Sequence, residues 1–522
     1  MAKATTEKPA VLPQNHVRTQ TIPPAQEEQR DTDPVEAIPT EFPSKDDADR
    51  LANYQYYERL SKGLHFEAFN LRISNAAFSK AYSKLRYIKA NFPGLLSKVM
   101  ADMLFSEPVK IKVEKNQDFV DKFVKVNHFN TIMYESELTN SSLGDAVFKL
   151  RVAPLNPDDP DDESTVIFEE TTPKVYFPEV DPFNVKGKPK KQIIAWKFQI
   201  AKQEYMRQEI HTYGKIENKL YTMKSNKIEK EVSIDILKLG LKKVENTGVK
   251  GTLVFHVPNF RMGNVHFGDS DYSDLDQLFY AINNRLTMID NILDKHSDPI
   301  LMVPPGILDE DGKVKKGALG VIEHAEGETG KPEYIVWDAS LENAFKEVDK
   351  IIEIMFMISE ISPDILGMGQ GQSDSGRSLK LKLLRTIAKA QRKRIYYDPA
   401  IKDIVYKAQE LSKLTGAKCD GVVSGEPEYP ELEWRDGLPN DDVEQADIEA
   451  KRIESGTTSK KDSIMRLDSV DEKTAQKKVE EINEETKVAL PIMNPNTNFK
   501  PGEEGKPDLT KPTDKLPVKP VK

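Results

Sequence analysis

Two amphipathic runs separated by a short insert constrain this chain more than any other feature. From 272 to 296, Leu275, Leu278, Ile282, Leu286, Ile289 and Leu293 step by three or four. From 341 to 361, Phe345, Val348, Ile352, Met355 and Ile358 do the same. That period belongs to helices with one apolar stripe, and the first would be roughly 38 Å long. Pro299 and Pro363 follow the two runs as stop signals, and the insert between them, 297–340, has a short, β-like texture. The pattern predicts two long helices flanking a small subdomain.

Immediately after Pro363 comes Gly367-Met368-Gly369-Gln370-Gly371-Gln372-Ser373-Asp374-Ser375-Gly376, with four glycines in ten residues, a hinge by composition. A long helix is expected from 376 to about 413, kinked near Pro399. From Gly376 to Tyr397 it holds eight basic residues and no acid, although the whole chain carries a net charge of −10. Lys382, Arg385, Lys389, Arg392 and Lys393 fall within an arc of roughly 100°, with Leu379, Leu383, Leu384, Ile387 and Ile395 opposite. One face is expected to be cationic and the other core. The cationic face reads either as a solvated or subunit-bridging surface, or as a place of transient phosphate contact. By contrast the two earlier helices are mildly acidic, which would repel phosphates.

Upstream, helices are expected over 46–62 and 84–105. From 109 to 257 the texture changes to short β-rich runs (VKIKV, AVFKLRV, STVIFEE, KVYFPEV, QIIAWKFQIA, GTLVFHVP) broken by Pro, Gly and acidic turns, so the fold class is α+β. The acidic turn LNPDDPDDES lacks the ligand spacing and central glycine of an EF-hand and reads as a hairpin tip. Downstream, 441–455, 460–467 and 472–487 form a charged helical cluster. Seven prolines in 1–45 and seven in 491–522 mark both ends as disordered tails.

Several functions are excluded by what is missing. The densest apolar run, 351–358, contains Glu353 and falls far short of the ~20 residues a membrane helix needs. The start MAKATTEKPA lacks the apolar stretch of a secretory signal, and a lone cysteine, Cys419, leaves no intramolecular disulfide and no multi-cysteine metal site. His211, His256, His266, His296 and His324 show no tight metal-ligand spacing. GQSDSGRS approaches a Walker A loop with Arg377 in place of lysine, but a helix and Pro363 precede it where a buried strand is required, and no strand ending in a Mg²⁺-binding aspartate follows. No cofactor and no catalytic residues are expected.

The order of these parts resembles the portal proteins of tailed double-stranded DNA bacteriophages. The resemblance rests on GDSDYSDLDQLFYAINNRLTMIDNILDKHSDPILMVP, on the following helix ending at SPDILG, on the glycine loop leading into SGRSLKLKLLRT, and on WRDGLPND and ESGTTSKKDSIMRL. It runs from Asp46 to about Leu490.

What the resemblance implies is a ring of commonly about twelve copies at one capsid vertex, with a central DNA channel. On that template 46–271 is the wing, 272–296 and 341–361 are stem helices, and 297–340 is the clip. The tunnel loop is 362–375, the long wing helix and its return are 376–440, and the crown is 441–490. Gly367, Met368, Gly369, Gln370, Gly371, Gln372 and Ser373 would face DNA. Asp309, Asp311, Lys313 and Lys315 in the clip would dock the terminase large subunit or the head-completion adaptor. Major capsid and scaffolding proteins are further implied partners, and the implied location is the virion after assembly in the host cytoplasm. The rival reading is a helical scaffold or adaptor that never meets DNA, and a nucleotide-dependent enzyme built on the near-Walker loop comes third.

Overall fold

A computed structural model describes residues 42–73, 86–154, 164–238, 241–297, 300–302, 333–335, 341–368, 376–417, 421, 423–435, 442–468, 470 and 472–489. The two expected tails, but for 42–45, and the acidic turn 155–163 lie outside them.

The chain opens with α1 (Lys45–Ser61), α2 (His65–Ile73), α3 (Phe92–Phe105), β1 (Lys110–Lys112), α4 (Gln117–Val126) and α5 (Phe129–Leu143). Ser44 starts α1 by accepting the Asp47 N–H on its hydroxyl, with Asp46 and Asp47 at the positive end of the helix. Helix α3 begins at Phe92 rather than at 84. Asn91 caps it by accepting from the Gly94 N–H and Pro93 occupies its first turn, which leaves residues 86–91 non-helical.

β2 (Asp145–Pro154) and β3 (Ser164–Thr171) pair antiparallel, and β10 (Val254–Pro258) joins β2 on its other edge. β4 (Tyr176–Glu179), β5 (Lys191–Ile200), β6 (Gln203–Thr212), β7 (Lys215–Lys224) and β8 (Lys227–Val232) form an antiparallel meander, with β9 (Val244–Asn246) also on β7. The mixed α+β class expected from the sequence is therefore observed. The turns at Ala201-Lys202 and Ser225-Asn226 have positive φ at both residues, the geometry that matches strand twist in two-residue hairpins.

A continuous apolar core joins α1, α3, α4, α5 and β2 to the next two helices. These are α6 (Asp276–Ser297) and α7 (Leu341–Ser359), separated by β11 (Ile300–Met302) and β12 (Glu333–Ile335). Arg285 pairs with Glu347, and Ile300 lies opposite Ile335, so α6 and α7 form an antiparallel hairpin with a two-stranded ribbon at the base of the insert. Buried Asn283 and Thr287 fasten α6 to segment 86–91: Asn283 Oδ1 accepts the Ala90 N–H at 2.9 Å and Thr287 Oγ1 accepts the Ile88 N–H at 3.0 Å.

After α7 come α8 (Gly376–Lys382) and α9 (Leu384–Thr415). The long helix is interrupted at Leu383 and runs through Pro399 without a break. The carbonyl that Pro399 leaves without an N–H partner belongs to Ile395, which is exposed. β13 (Glu431–Glu433) returns to pair with β1, and α10 (Asp442–Glu454), α11 (Lys460–Leu467) and α12 (Glu472–Ala489) follow. No helix among the described residues is long and apolar enough to cross a membrane.

Candidate functional site

The three elements that the sequence singled out, the start of α6, the end of α7 and the cationic stretch of α9, meet in one place. Asp271 lies just ahead of α6. Its carboxylate accepts from Lys393 Nζ at 2.8 Å, Lys389 Nζ at 3.1 Å, the Ser141 hydroxyl at 2.7 Å and Asn259 Nδ2 at 3.0 Å. Lys393 also reaches Glu137 Oε1 on α5 at 2.6 Å. Asn140 donates to the hydroxyl of buried Tyr397 at 3.3 Å beside this cluster.

Both carboxylates and Lys393 are almost wholly removed from water, so charge can persist only through mutual pairing. Burial raises the Asp271 carboxyl, but Lys389 and Lys393 overcome it and hold the group well below the ordinary carboxylate range. For Glu137 burial wins over Lys393 and the carboxyl is raised. Burial lowers the Lys393 ammonium, yet Asp271 and Glu137 leave it raised on balance, whereas burial dominates for Lys389 and lowers it.

The same helix terminates α7. Glu360 is the first residue past α7 and adopts a left-handed φ of 58°, a conformation that usually calls for glycine after a helix. Lys389 Nζ donates to the Ser359 carbonyl at 3.0 Å and the Thr386 hydroxyl donates to the Glu360 carbonyl at 3.2 Å. The Ser362 N–H in turn donates to Thr386 Oγ1 at 2.8 Å. Arg392 binds the Glu360 carboxylate at 2.7 Å and Arg385 approaches it at 3.6 Å. Cations therefore gather at the negative end of the α7 dipole. Beyond it, a 3₁₀ turn over Pro363–Leu366 ends at Gly367, whose φ is 69°, and Lys382 pairs with Asp364 at 3.6 Å.

Two of the five cations of this face, Lys389 and Lys393, are thus turned inward, while Lys382, Arg385 and Arg392 are exposed. Lys389 and Lys393 are held by this chain's own acids, which corrects the expectation that they face outward toward DNA or a neighbouring subunit. The opposite side is also not uniformly core, since Leu383 is buried and Ile387 partly so, while Leu379, Leu384 and Ile395 are exposed. The reason is that Asp271, Glu137 and Glu360 supply counter-charges from distant parts of the chain. Their proximity carries no local sequence signal beyond the positions of Asp271 and Glu360 at the two helix ends.

Of the loop residues, Gly367 and Met368 are described. Met368 is exposed, and a Cβ at Gly367 would meet nothing. Gly369, Gln370, Gly371, Gln372 and Ser373 lie outside the described residues, as do Asp309, Asp311, Lys313 and Lys315. Among the described residues no cluster of His, Cys, Asp and Glu could hold a metal ion.

The cluster, the pinned end of α7 and the α6/α7 hairpin form one connected framework organised around a helical hairpin. The chain belongs to the phage portal protein family of the SPP1 Gp6-like type, whose model matches residues 45–489. Solved structures with some likeness include a chain from the virion of a native gene transfer agent particle, with 12% identity over 72% of this chain and 89% of that one and a TM-score of 0.38. Another is from the neck of an empty gene transfer agent particle computed with C6 symmetry, with 10% identity over 74% and 93% and a TM-score of 0.39. No curated protein matches the chain.

Proposed function

We propose that copies of this chain close into a ring at one capsid vertex, and that double-stranded DNA passes through its channel during packaging and ejection. Membership of the portal family over 45–489 carries this reading. In it, α6 and α7 line or support the channel and the glycine loop 367–376 touches the moving duplex. The firmly pinned α7 end supports that role, because a loop contacting a moving load needs a fixed base. In sequence the insert 297–340 lies between two long helices, a position that binding loops on scaffolds often take. It serves as the docking point for the terminase large subunit and later for the head-completion adaptor, with Asp309, Asp311, Lys313 and Lys315 as contacts. Capsid and scaffolding proteins surround the ring, and the assembled protein resides in the virion. The chain hydrolyses no nucleotide itself.

The test is packaged DNA per capsid measured beside ring yield. Gly371→Asp or Ser373→Trp should leave rings intact and reduce packaging or retention. Normal filling would remove the loop from the DNA path, and loss of rings would place it at a subunit contact instead.

A further inference from the structure

The β4–β8 meander turns one face toward the three-stranded sheet, where Tyr176 and Ile194 pack with Val147 and Val254. Its other face carries a separate apolar cluster of Phe177, Ala195, Met206, Tyr221, Met223 and Ile228. The strand registers agree with a single surface: Met206 lies opposite both Lys197 and Tyr221, and Met223 lies opposite Ile228. Residues directly opposite in an antiparallel pair share a face, so the cluster runs from β4 to β8.

This surface faces away from the three-stranded sheet, yet it is closed: Met206 is 0% exposed, Met223 3% and Ile228 9%. Among the described residues, the apolar side chains packed on the cluster from outside the sheet are Phe42 and Leu51. Phe42 meets Phe177 of β4 edge-on, with ring centroids 4.6 Å apart. Helix α1, which carries Leu51, is fastened at the same edge, because Arg50 donates to the Tyr176 carbonyl and stands over the Phe177 ring. Strands lie about 4.8 Å apart, so these contacts account for the β4 edge and not for Met223 and Ile228, three and four strands away.

The chain ahead of Phe42 is placed to cover them. The Phe42 carbonyl accepts from Lys197 Nζ at 3.2 Å, and the same ammonium donates to Asn226 Oδ1, in the turn between β7 and β8, at 3.1 Å. Phe42 thus holds its backbone toward that turn, while α1 leads away on the β4 side. From β5 to β8 is about 14 Å at three strand spacings, a distance that about four or five extended residues span. The residues just before Phe42 are Ala37-Ile38-Pro39-Thr40-Glu41. Pro39 and Pro43 bias Ile38 and Phe42 toward extended backbone, and Ile38 is the one large apolar side chain of the five.

We infer that residues 37–41 cross this face as an extended strap, with the Ile38 side chain lying on Met223 and Ile228. The occupant is the chain's own N-terminal segment, because the strands to be covered are the next in line from the point where Phe42 is fixed. The strap masks, in each copy, an apolar surface that would otherwise be open to other chains. The inference stands apart from the ring reading and holds for a single copy.

The experiment introduces Ile38→Cys together with Met223→Cys in the full chain, in a Cys419→Ser background, and oxidises it. A disulfide requires Cα atoms roughly 4–7 Å apart. The control pairs Ile38→Cys with Thr222→Cys, since neighbouring strand residues point to opposite faces. The expected result, read by peptide mapping, is a disulfide within one chain for the first pair and none for the control. Equal yields for the two pairs, or no bond in either, would overturn the strap. A bond joining two chains would give the face to a second copy's segment and overturn it as well. As an independent check, Ile38→Asp should lower the melting temperature and quicken hydrogen exchange in β6 to β8, whereas Val35→Asp, ahead of the strap, should do neither. Identical behaviour of the two variants would contradict the inference.

Discussion

Lys393 on α9 bonds Asp271 at the head of α6 at 2.8 Å with both side chains almost fully buried. The helix behind the glycine loop is thereby tied to the segment leading into the helical hairpin by a charge pair shielded from solvent screening.

Removing that cation should be severe. Lys393→Met leaves Glu137 without its 2.6 Å partner and takes one of two cations from Asp271, which keeps Lys389, Ser141 and Asn259, and breaking a buried pair from one side costs about 3–5 kcal/mol. Urea unfolding should show a loss of that size, and adding Glu137→Gln should recover part of it.

The Thr386 hydroxyl is both acceptor for Ser362 N–H and donor to the Glu360 carbonyl. Thr386→Val keeps the shape and strands both backbone groups, which should cost about 1–3 kcal/mol. Hydrogen exchange should quicken at Ser362 ahead of the rest of the fold.

Gly144 ends α5 at a φ of 97°, where an added Cβ would sit 2.7 Å from the Gly268 carbonyl oxygen. Gly144→Ala combines backbone strain with a backbone clash. A loss of at least about 2 kcal/mol is expected, read as a drop in melting temperature.

Acid should weaken the β-rich part in two windows. Burial, with His256 stacked 4.8 Å away, lowers the His266 imidazole from 6.5 to about 4. The unfolded chain therefore takes up a proton below about pH 6.5 that the folded chain refuses until about pH 4, and stability falls across that interval. Burial raises the Glu209 carboxyl, but His211, Lys149 and Arg207 bring it down to about 2. Its contribution is present above about pH 4.5 and is lost as pH falls toward 2. Melting temperatures recorded from pH 7 to 3 should decline in both windows, and His266→Phe should flatten the upper one alone.

The helical hairpin was legible because α6 and α7 each bury one stripe, which an apolar period reports directly. Helix α5 was not, since its buried face carries Ser136, Glu137, Asn140 and Ser141, polar residues that erase the period and are affordable only with distant partners such as Lys393 and Asp271. β6 to β8 were missed for a related reason. Their strands are rich in Gln, Glu and Lys, and the turns Ala201-Lys202 and Ser225-Asn226 lack the glycine that normally announces a hairpin. The cationic arc of α9 was visible, but its direction was not, because its counter-charges come from α5 and the two ends of the helical hairpin.

The most direct measurement of the central claim is the mass and shape of the purified chain at micromolar concentration, by native mass spectrometry and negative-stain class averages. The account predicts closed particles of about twelve chains with a central hole. A stable monomer that yields no rings on further concentration would contradict it.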